Sequence, residues 1–101
     1  MGGSLLDDDQ TDSERPILVL YSRPDCHLCD VAKPVLLAAA HRHGAVVEER
    51  NVEDDPMWEQ AYGSQIPVAF LGRLKLFKYR ADAAALERRL AARLVSSEHR
   101  S

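Results

Sequence analysis

The fold is decided by the stretch Ile17-Leu18-Val19-Leu20-Tyr21-Ser22-Arg23-Pro24-Asp25-Cys26-His27-Leu28-Cys29. Its first five residues are apolar or aromatic, a run that is typical of a strand buried in a sheet. The chain's only two cysteines, Cys26 and Cys29, come shortly after this run. A Cys-x-x-Cys pair between a strand and a helix is typical of thiol redox chemistry. The stretch therefore predicts a buried strand with a reactive dithiol near its carboxyl end.

The residues that follow the cysteines predict an amphipathic helix. Its apolar positions recur with helical spacing and are Leu28, Val31, Ala32, Val35, Leu36 and Ala39. The helix is predicted to end at His41-Arg42-His43-Gly44, where cations and a glycine suit a helix carboxyl terminus. Free N–H groups and the positive end of the helix dipole lie at the amino terminus, so they would favour the thiolate of Cys26. The negative carboxylate of Asp25 disfavours a second negative charge on Cys26. This effect is weaker if Asp25 caps the helix, because backbone N–H groups then partly neutralise the carboxylate.

The rest of the chain predicts three more strands and two more helices. The first of these is a strand at Ala45–Val52, and a short helix through Trp58 to Tyr62 follows after Asp54-Asp55-Pro56. Two strands at Val68–Leu71 and Leu74–Tyr79 then flank the turn Gly72-Arg73. The final helix is capped by Asp82 and has Leu86, Leu90 and Leu94 on its buried edge. The order βαβαββα predicts an α/β fold with a four-stranded mixed sheet and helices on both faces. Ligands of such sheets bind at the carboxyl ends of the strands, where Cys26 is predicted to lie.

Length and composition predict one folded domain with acidic ends. The 101 residues are 46% hydrophobic and 29% charged, as in an ordinary soluble domain. We expect a disordered acidic tail over residues 1–15, a folded domain over residues 16–95 and a disordered tail over residues 96–101. The net charge of −3 comes from the two ends. The near-neutral body has no basic stripe interleaved with aromatic residues, and this argues against nucleic acid as a partner.

The sequence lacks the features of a secreted or membrane-bound protein. Its first residues show no basic segment followed by an apolar one. We therefore expect a cytoplasmic monomer with no membrane partner. In a reducing cytoplasm, a close cysteine pair is more often catalytic or metal-binding than structural.

Three local features of the chain resemble the thioredoxin-fold oxidoreductases, and most closely the small glutaredoxin-like proteins. The segment Tyr21–Cys29 is similar to the family's active-site strand end and loop. Ile66-Pro67 is similar to the family's cis-proline dipeptide, and Pro34 to the helix-kinking proline of thioredoxins. The resemblance implies a thioredoxin-like fold and a thiol-disulfide oxidoreductase that reduces protein or glutathione mixed disulfides.

The resemblance also implies a role for individual residues. Cys26 would attack the substrate disulfide and Cys29 would resolve the mixed disulfide. The backbone of Ile66 beside Pro67 would align an extended substrate, and Arg23 stands where glutaredoxins often keep a lysine that meets a carboxylate of glutathione. The chain departs from glutaredoxins at Tyr79-Arg80-Ala81-Asp82, where they usually have Gly-Gly-x-Asp to bind the other end of glutathione. Glutathione is thus left open as a co-substrate.

Two alternative functions are weighed against redox catalysis. A zinc site would need His41 and His43 beside Cys26 and Cys29, yet these histidines lie about 18–20 Å further along the same predicted helix at 1.5 Å per residue. We therefore expect no metal site, and no cofactor beyond the reversible Cys26–Cys29 disulfide. The second alternative is a thioredoxin-fold module that binds peptides along the Ile66 edge without redox turnover.

Overall fold

A computed structural model describes residues 15–99 of the chain. Its elements are β1 (Ile17–Ser22), α1 (His27–His43), β2 (Val46–Asn51), a 3-10 turn (Val52–Asp54), α2 (Pro56–Tyr62), β3 (Val68–Leu71), β4 (Leu74–Lys78) and α3 (Ala83–His99). The predicted order βαβαββα is confirmed. Almost all of the predicted acidic tail over residues 1–15 lies outside the described residues, as do the last two residues of the predicted tail over 96–101.

The four strands form one mixed sheet in the order β2-β1-β3-β4. The central strand β1 runs parallel to β2, with Ile17 opposite Val46, and antiparallel to β3, with Tyr21 opposite Val68. Strands β3 and β4 are joined by the predicted turn, in which Gly72 has a φ of 60°. A glycine with positive φ at the first central position is typical of a type II′ hairpin turn.

Helices cover both faces of the sheet, as predicted. On one face, Leu18 and Leu20 of β1 pack with Leu36 of α1 and with Leu86 and Leu90 of α3 in the main core. On the other face lies a smaller cluster of three buried residues, Tyr21, Val52 and Val68. Trp58 and Tyr62 of α2 pack against this cluster, as does Phe70 of β3. The ring of Tyr21 stacks on that of Tyr62 at 4.1 Å between centroids. Side chains of the helices therefore pack on both faces of the sheet.

The buried side of α1 differs from the predicted apolar stripe. The side chains that α1 buries are those of Cys29, Ala32, Leu36, Ala39 and Ala40. Leu28 and Val31, which the stripe also included, are 42% and 54% exposed. The helix turns its small residues toward the sheet, and this rotates Leu28 and Val31 out of the core. The predicted apolar stripe is therefore only partly buried.

Strand β4 ends one residue earlier than predicted, at Lys78 rather than Tyr79. Tyr79 has a φ of 72°, in the left-handed region, so it cannot continue the strand. A non-glycine residue held in this region costs on the order of 1 kcal/mol or more. The surrounding structure must therefore fix Tyr79 in place.

Helix α3 begins as the sequence predicted. Asp82 caps it, because its Oδ1 accepts hydrogen bonds from the N–H groups of Ala84 and Ala85 at 3.0 and 3.2 Å. The helix continues to His99 and so includes residues 96–99, which the sequence assigned to a tail. Among the helices of residues 15–99, none is long and apolar enough to cross a membrane.

Glu87 of α3 joins that helix to the carboxyl end of α1. Its carboxylate accepts hydrogen bonds from Arg42 and lies 2.8 Å from Nε2 of His43. The hydrogen bonds, first from Arg42 and then from His43, lower the pKa of Glu87 from its ordinary value of 4.5. A carboxylate with a lowered pKa stabilises the folded state above its ordinary pKa, and that contribution disappears as the pH falls through the lowered value.

We expect Glu87→Gln to reduce the free energy of unfolding slightly at pH 7, because the charged partner of Arg42 is removed. The difference from the wild type should shrink as the pH falls below about 4.5 and vanish once the wild-type carboxyl is protonated. Urea unfolding of both proteins at neutral and acidic pH measures this. A difference that stays constant across the range would show that the charge is not what stabilises the contact.

Candidate active site

The two segments that the resemblance assigns to the site lie at the same end of the sheet, where β1 finishes and β3 begins. Because Tyr21 pairs with Val68, the loop after β1 and the residues just before β3 are neighbours. The first segment carries Cys26 and the second carries Ile66 and Pro67. The Ile66–Pro67 peptide bond is cis, as the resemblance implied. The roles of Ile66 and Pro67 in substrate binding stay a prediction.

The two cysteines occupy the start of α1 in unequal environments. Cys26 is the N-cap residue and partly exposed, whereas Cys29 in the first turn is only 5% exposed. Their Cα atoms are 5.2 Å apart and their sulfurs form a disulfide. The Sγ atom of Cys26 accepts a hydrogen bond from the backbone N–H of Cys29 at 3.2 Å. The sulfur of Cys26 is thus held at the positive end of the helix dipole.

Asp25 does not cap the helix, although the sequence left that possibility open. It is exposed and has a φ of 60°, so the chain turns sharply at Asp25 and helix α1 begins one residue later than an Asp25 cap would require. Aspartate tolerates this left-handed conformation better than most residues. Cys26 therefore takes the capping position itself.

Arg23 is three positions before Cys26 in the chain, and acidic residues already surround its guanidinium. Nη2 donates to Glu59 at 2.9 Å and to the carbonyl of Gly63 at 3.1 Å, and Nη1 lies 3.6 Å from Glu53. The hydrogen bond to Glu59 is the main reason why the pKa of Arg23 is raised. Gly63 is needed here, because a methyl group at that position would collide with Glu59. The predicted contact between Arg23 and glutathione stays a prediction.

Acidic residues line one side of the active-site loop. A cavity of about 410 Å³ next to the active-site loop is lined by Ser22, Arg23, Pro24, Asp25, Asp30, Glu49, Asn51 and Asp54. Glu49 accepts a hydrogen bond from Ser22 at 2.9 Å and pairs with Lys33 at 2.8 Å. The hydrogen bond from Lys33 is the largest cause that lowers the pKa of Glu49. This side, which we call the acidic side, therefore favours cationic or neutral ligands over anions.

A second cavity is a groove with exposed apolar side chains. Residues from the start of α1 and from the segment before α3 line it, namely His27, Leu28, Val31, Ala32, Tyr79, Arg80 and Ala81. Sequence reasoning missed this groove, because it placed Leu28 and Val31 in a single apolar stripe of the helix and Tyr79 in a strand. Tyr79 lies where the chain departs from the Gly-Gly-x-Asp of glutaredoxins, and that departure was the one available signal.

The alternative zinc site is not assembled. Helix α1 runs without a break from His27 to His43, and it keeps His41 and His43 at the end opposite the cysteines. His43 contacts Glu87 instead. Within residues 15–99, no three His, Cys, Asp or Glu side chains cluster in a way that could hold a metal ion.

Comparison with known proteins supports the family suggested by these features. A glutaredoxin-like domain (DUF836) matches residues 17–91. The chain is 40% identical to the Northeast Structural Genomics target protein XcR50 from X. campestris in its X-ray structure, with a TM-score of 0.61 and coverage of 74% of this chain and 96% of that chain. For the solution structure of XcR50 the identity is 36%, the TM-score 0.60 and the coverage 74% and 92%.

A more distant similarity concerns the fold alone. A mutant thioredoxin from Halobacterium salinarum is 23% identical, with a TM-score of 0.60 and coverage of 88% of this chain and 82% of that chain. It shares the mixed sheet flanked by helices, which confirms the predicted thioredoxin-like architecture. Since the family match spans residues 17–91, from β1 into α3, this chain belongs to the glutaredoxin-like family and has a thioredoxin fold.

Proposed function

We propose that this protein is a thiol-disulfide oxidoreductase that reduces disulfides of proteins or mixed disulfides of glutathione. The observation that carries the proposal is the position of Cys26 Sγ, which is partly exposed at the N-cap of α1 and bonded to the N–H of Cys29. After reduction, the same N–H group and the helix dipole favour the thiolate of Cys26 over the thiol. Cys26 is then the attacking sulfur.

The first step is attack on a substrate disulfide. The Cys26 thiolate forms a bond to one substrate sulfur, the substrate S–S bond breaks, and the second substrate sulfur leaves as a thiolate that takes a proton from water. The product is a mixed disulfide between Cys26 and the substrate. The backbone of Ile66, at the same end of the sheet, is proposed to pair with the substrate chain and align it.

The second step releases the substrate. Cys29, deprotonated, attacks the Sγ of Cys26, and the substrate leaves as a thiol after protonation. The Cα separation of 5.2 Å allows this bond to form within the existing backbone. Two electrons pass from the dithiol to the substrate, and a thiol reductant must then return them to the Cys26–Cys29 disulfide. Neither step needs a metal or an organic cofactor.

Reduction of insulin and of a glutathione–peptide mixed disulfide, with dithiothreitol as the reductant, tests this proposal. We expect the wild type to accelerate at least one reaction well above the rate with dithiothreitol alone. The variant Cys26→Ser/Cys29→Ser should give only the background rate, since it keeps the fold but has no sulfur to exchange. Equal rates for the two proteins would contradict the proposal.

A further inference from the structure

The groove beside Cys26 offers apolar surface where a substrate would lie. Leu28, Val31 and Tyr79, the last 45% exposed, form its apolar lining. His27 and Leu28, the two residues that follow Cys26 in the chain, line the same groove, so the groove begins at the first turn of α1 beside the dithiol segment. A substrate bonded to Cys26 would place its neighbouring residues against this surface.

Tyr79 is held rigidly at the groove. Its N–H donates to the carbonyl of Pro67 at 2.7 Å, and its hydroxyl donates to the carbonyl of Ser64 at 3.2 Å. These contacts tie Tyr79 to the segment that contains Ile66 and Pro67, and they fix a backbone conformation that non-glycine residues seldom adopt. The segment before β3 therefore fixes the position of Tyr79 at the groove.

The charges around Cys26 are unfavourable for glutathione, which carries two carboxylates and one ammonium group. Arg23 is engaged by Glu53 and Glu59, and Asp25 and Asp30 face the acidic side. Arg80 is the cation on the rim of the groove that could receive a carboxylate. A polypeptide segment without acidic residues complements these surroundings better, because its charges are absent or positive.

We infer that the groove is a subsite for an apolar side chain next to the cysteine of a protein disulfide, and that the enzyme prefers such polypeptides to glutathione mixed disulfides. This inference rests on the proposed function and specifies its substrate class. The apolar side chain contacts Leu28, Val31 and Tyr79 while Cys26 attacks. The acidic side tolerates a basic or neutral residue on the other flank of the cysteine.

The test compares two uncharged peptides of equal length, each joined by a disulfide to 2-mercaptoethanol. One has leucine and the other has serine on both sides of its cysteine. We expect the wild type to reduce the leucine peptide with a kcat/KM about tenfold higher, since burying one aliphatic side chain supplies an effect of this size. Leu28→Gln and Val31→Thr should each reduce the ratio of the two kcat/KM values several-fold.

Two control variants make the result specific. Leu37 is an exposed leucine of the same helix, about 13 Å along α1 from Leu28, so Leu37→Gln should keep the full preference. Arg80→Ala tests the competing occupant: if the groove holds glutathione, this variant will lower kcat/KM for a glutathione mixed disulfide, and the wild type will favour that substrate.

The outcomes separate the two proposals. A wild type that reduces both peptides at equal rates, or a preference that Leu28→Gln and Val31→Thr leave intact, overturns the subsite while redox activity stands. A faster reaction with the glutathione mixed disulfide that depends on Arg80 also overturns it. If the wild type reduces no disulfide above background, the proposed function and the subsite both fall.

Discussion

Cys29→Ser is expected to stop the reaction after the first step, the attack by Cys26, and to leave the substrate covalently bound to Cys26. The first step needs only the Cys26 sulfur, whose N–H partner is a backbone group that serine also supplies. The second step needs the sulfur of Cys29, and a serine hydroxyl does not exchange with disulfides. With a protein disulfide and no small-thiol reductant, mass spectrometry should find a mixed disulfide approaching one substrate per protein molecule.

The matched control is Cys26→Ser. This variant keeps the buried Cys29 but removes the partly exposed sulfur at the N-cap, so it should form little or no covalent complex. The pair of variants also separates an oxidoreductase from a peptide-binding module. A binding module would retain its partner in both variants and form a mixed disulfide in neither. Equal trapping by both variants would contradict the assigned order of attack and resolution.

Sequence reasoning located the Cys26–Cys29 pair in the fold because the signals that place it are local. Cys26 and Cys29 are three positions apart, and a strand signal before them with a helix signal after them fixes their position at the end of the sheet. The ion pairs of Arg23 could not be predicted in this way. Its partner Glu59 is 36 residues away in the chain, and only the packing of α2 brings the two together.

The fold was predictable because each element carries its own start and stop signals. Asp55 and Asp82 cap α2 and α3, and Gly72 makes the hairpin turn, as their residue types indicated. Errors arose where one pattern allowed two orientations. Helix α1 has enough apolar positions to form two overlapping apolar stripes. The stripe that faces the core contains Ala32 and Ala39, whose small side chains pack closely, and it excludes Leu28.

The selected orientation of α1 makes a direct prediction for two adjacent leucines. Leu36 is fully buried in the main core, whereas Leu37 is 44% exposed. We expect Leu36→Ala to lower the free energy of unfolding by about 3 kcal/mol, because it leaves a cavity between α1 and the sheet. Leu37→Ala should change it by less than about 0.5 kcal/mol. Urea unfolding of both variants in the oxidised state measures the difference, and equal losses would show that α1 packs on the sheet in another rotation.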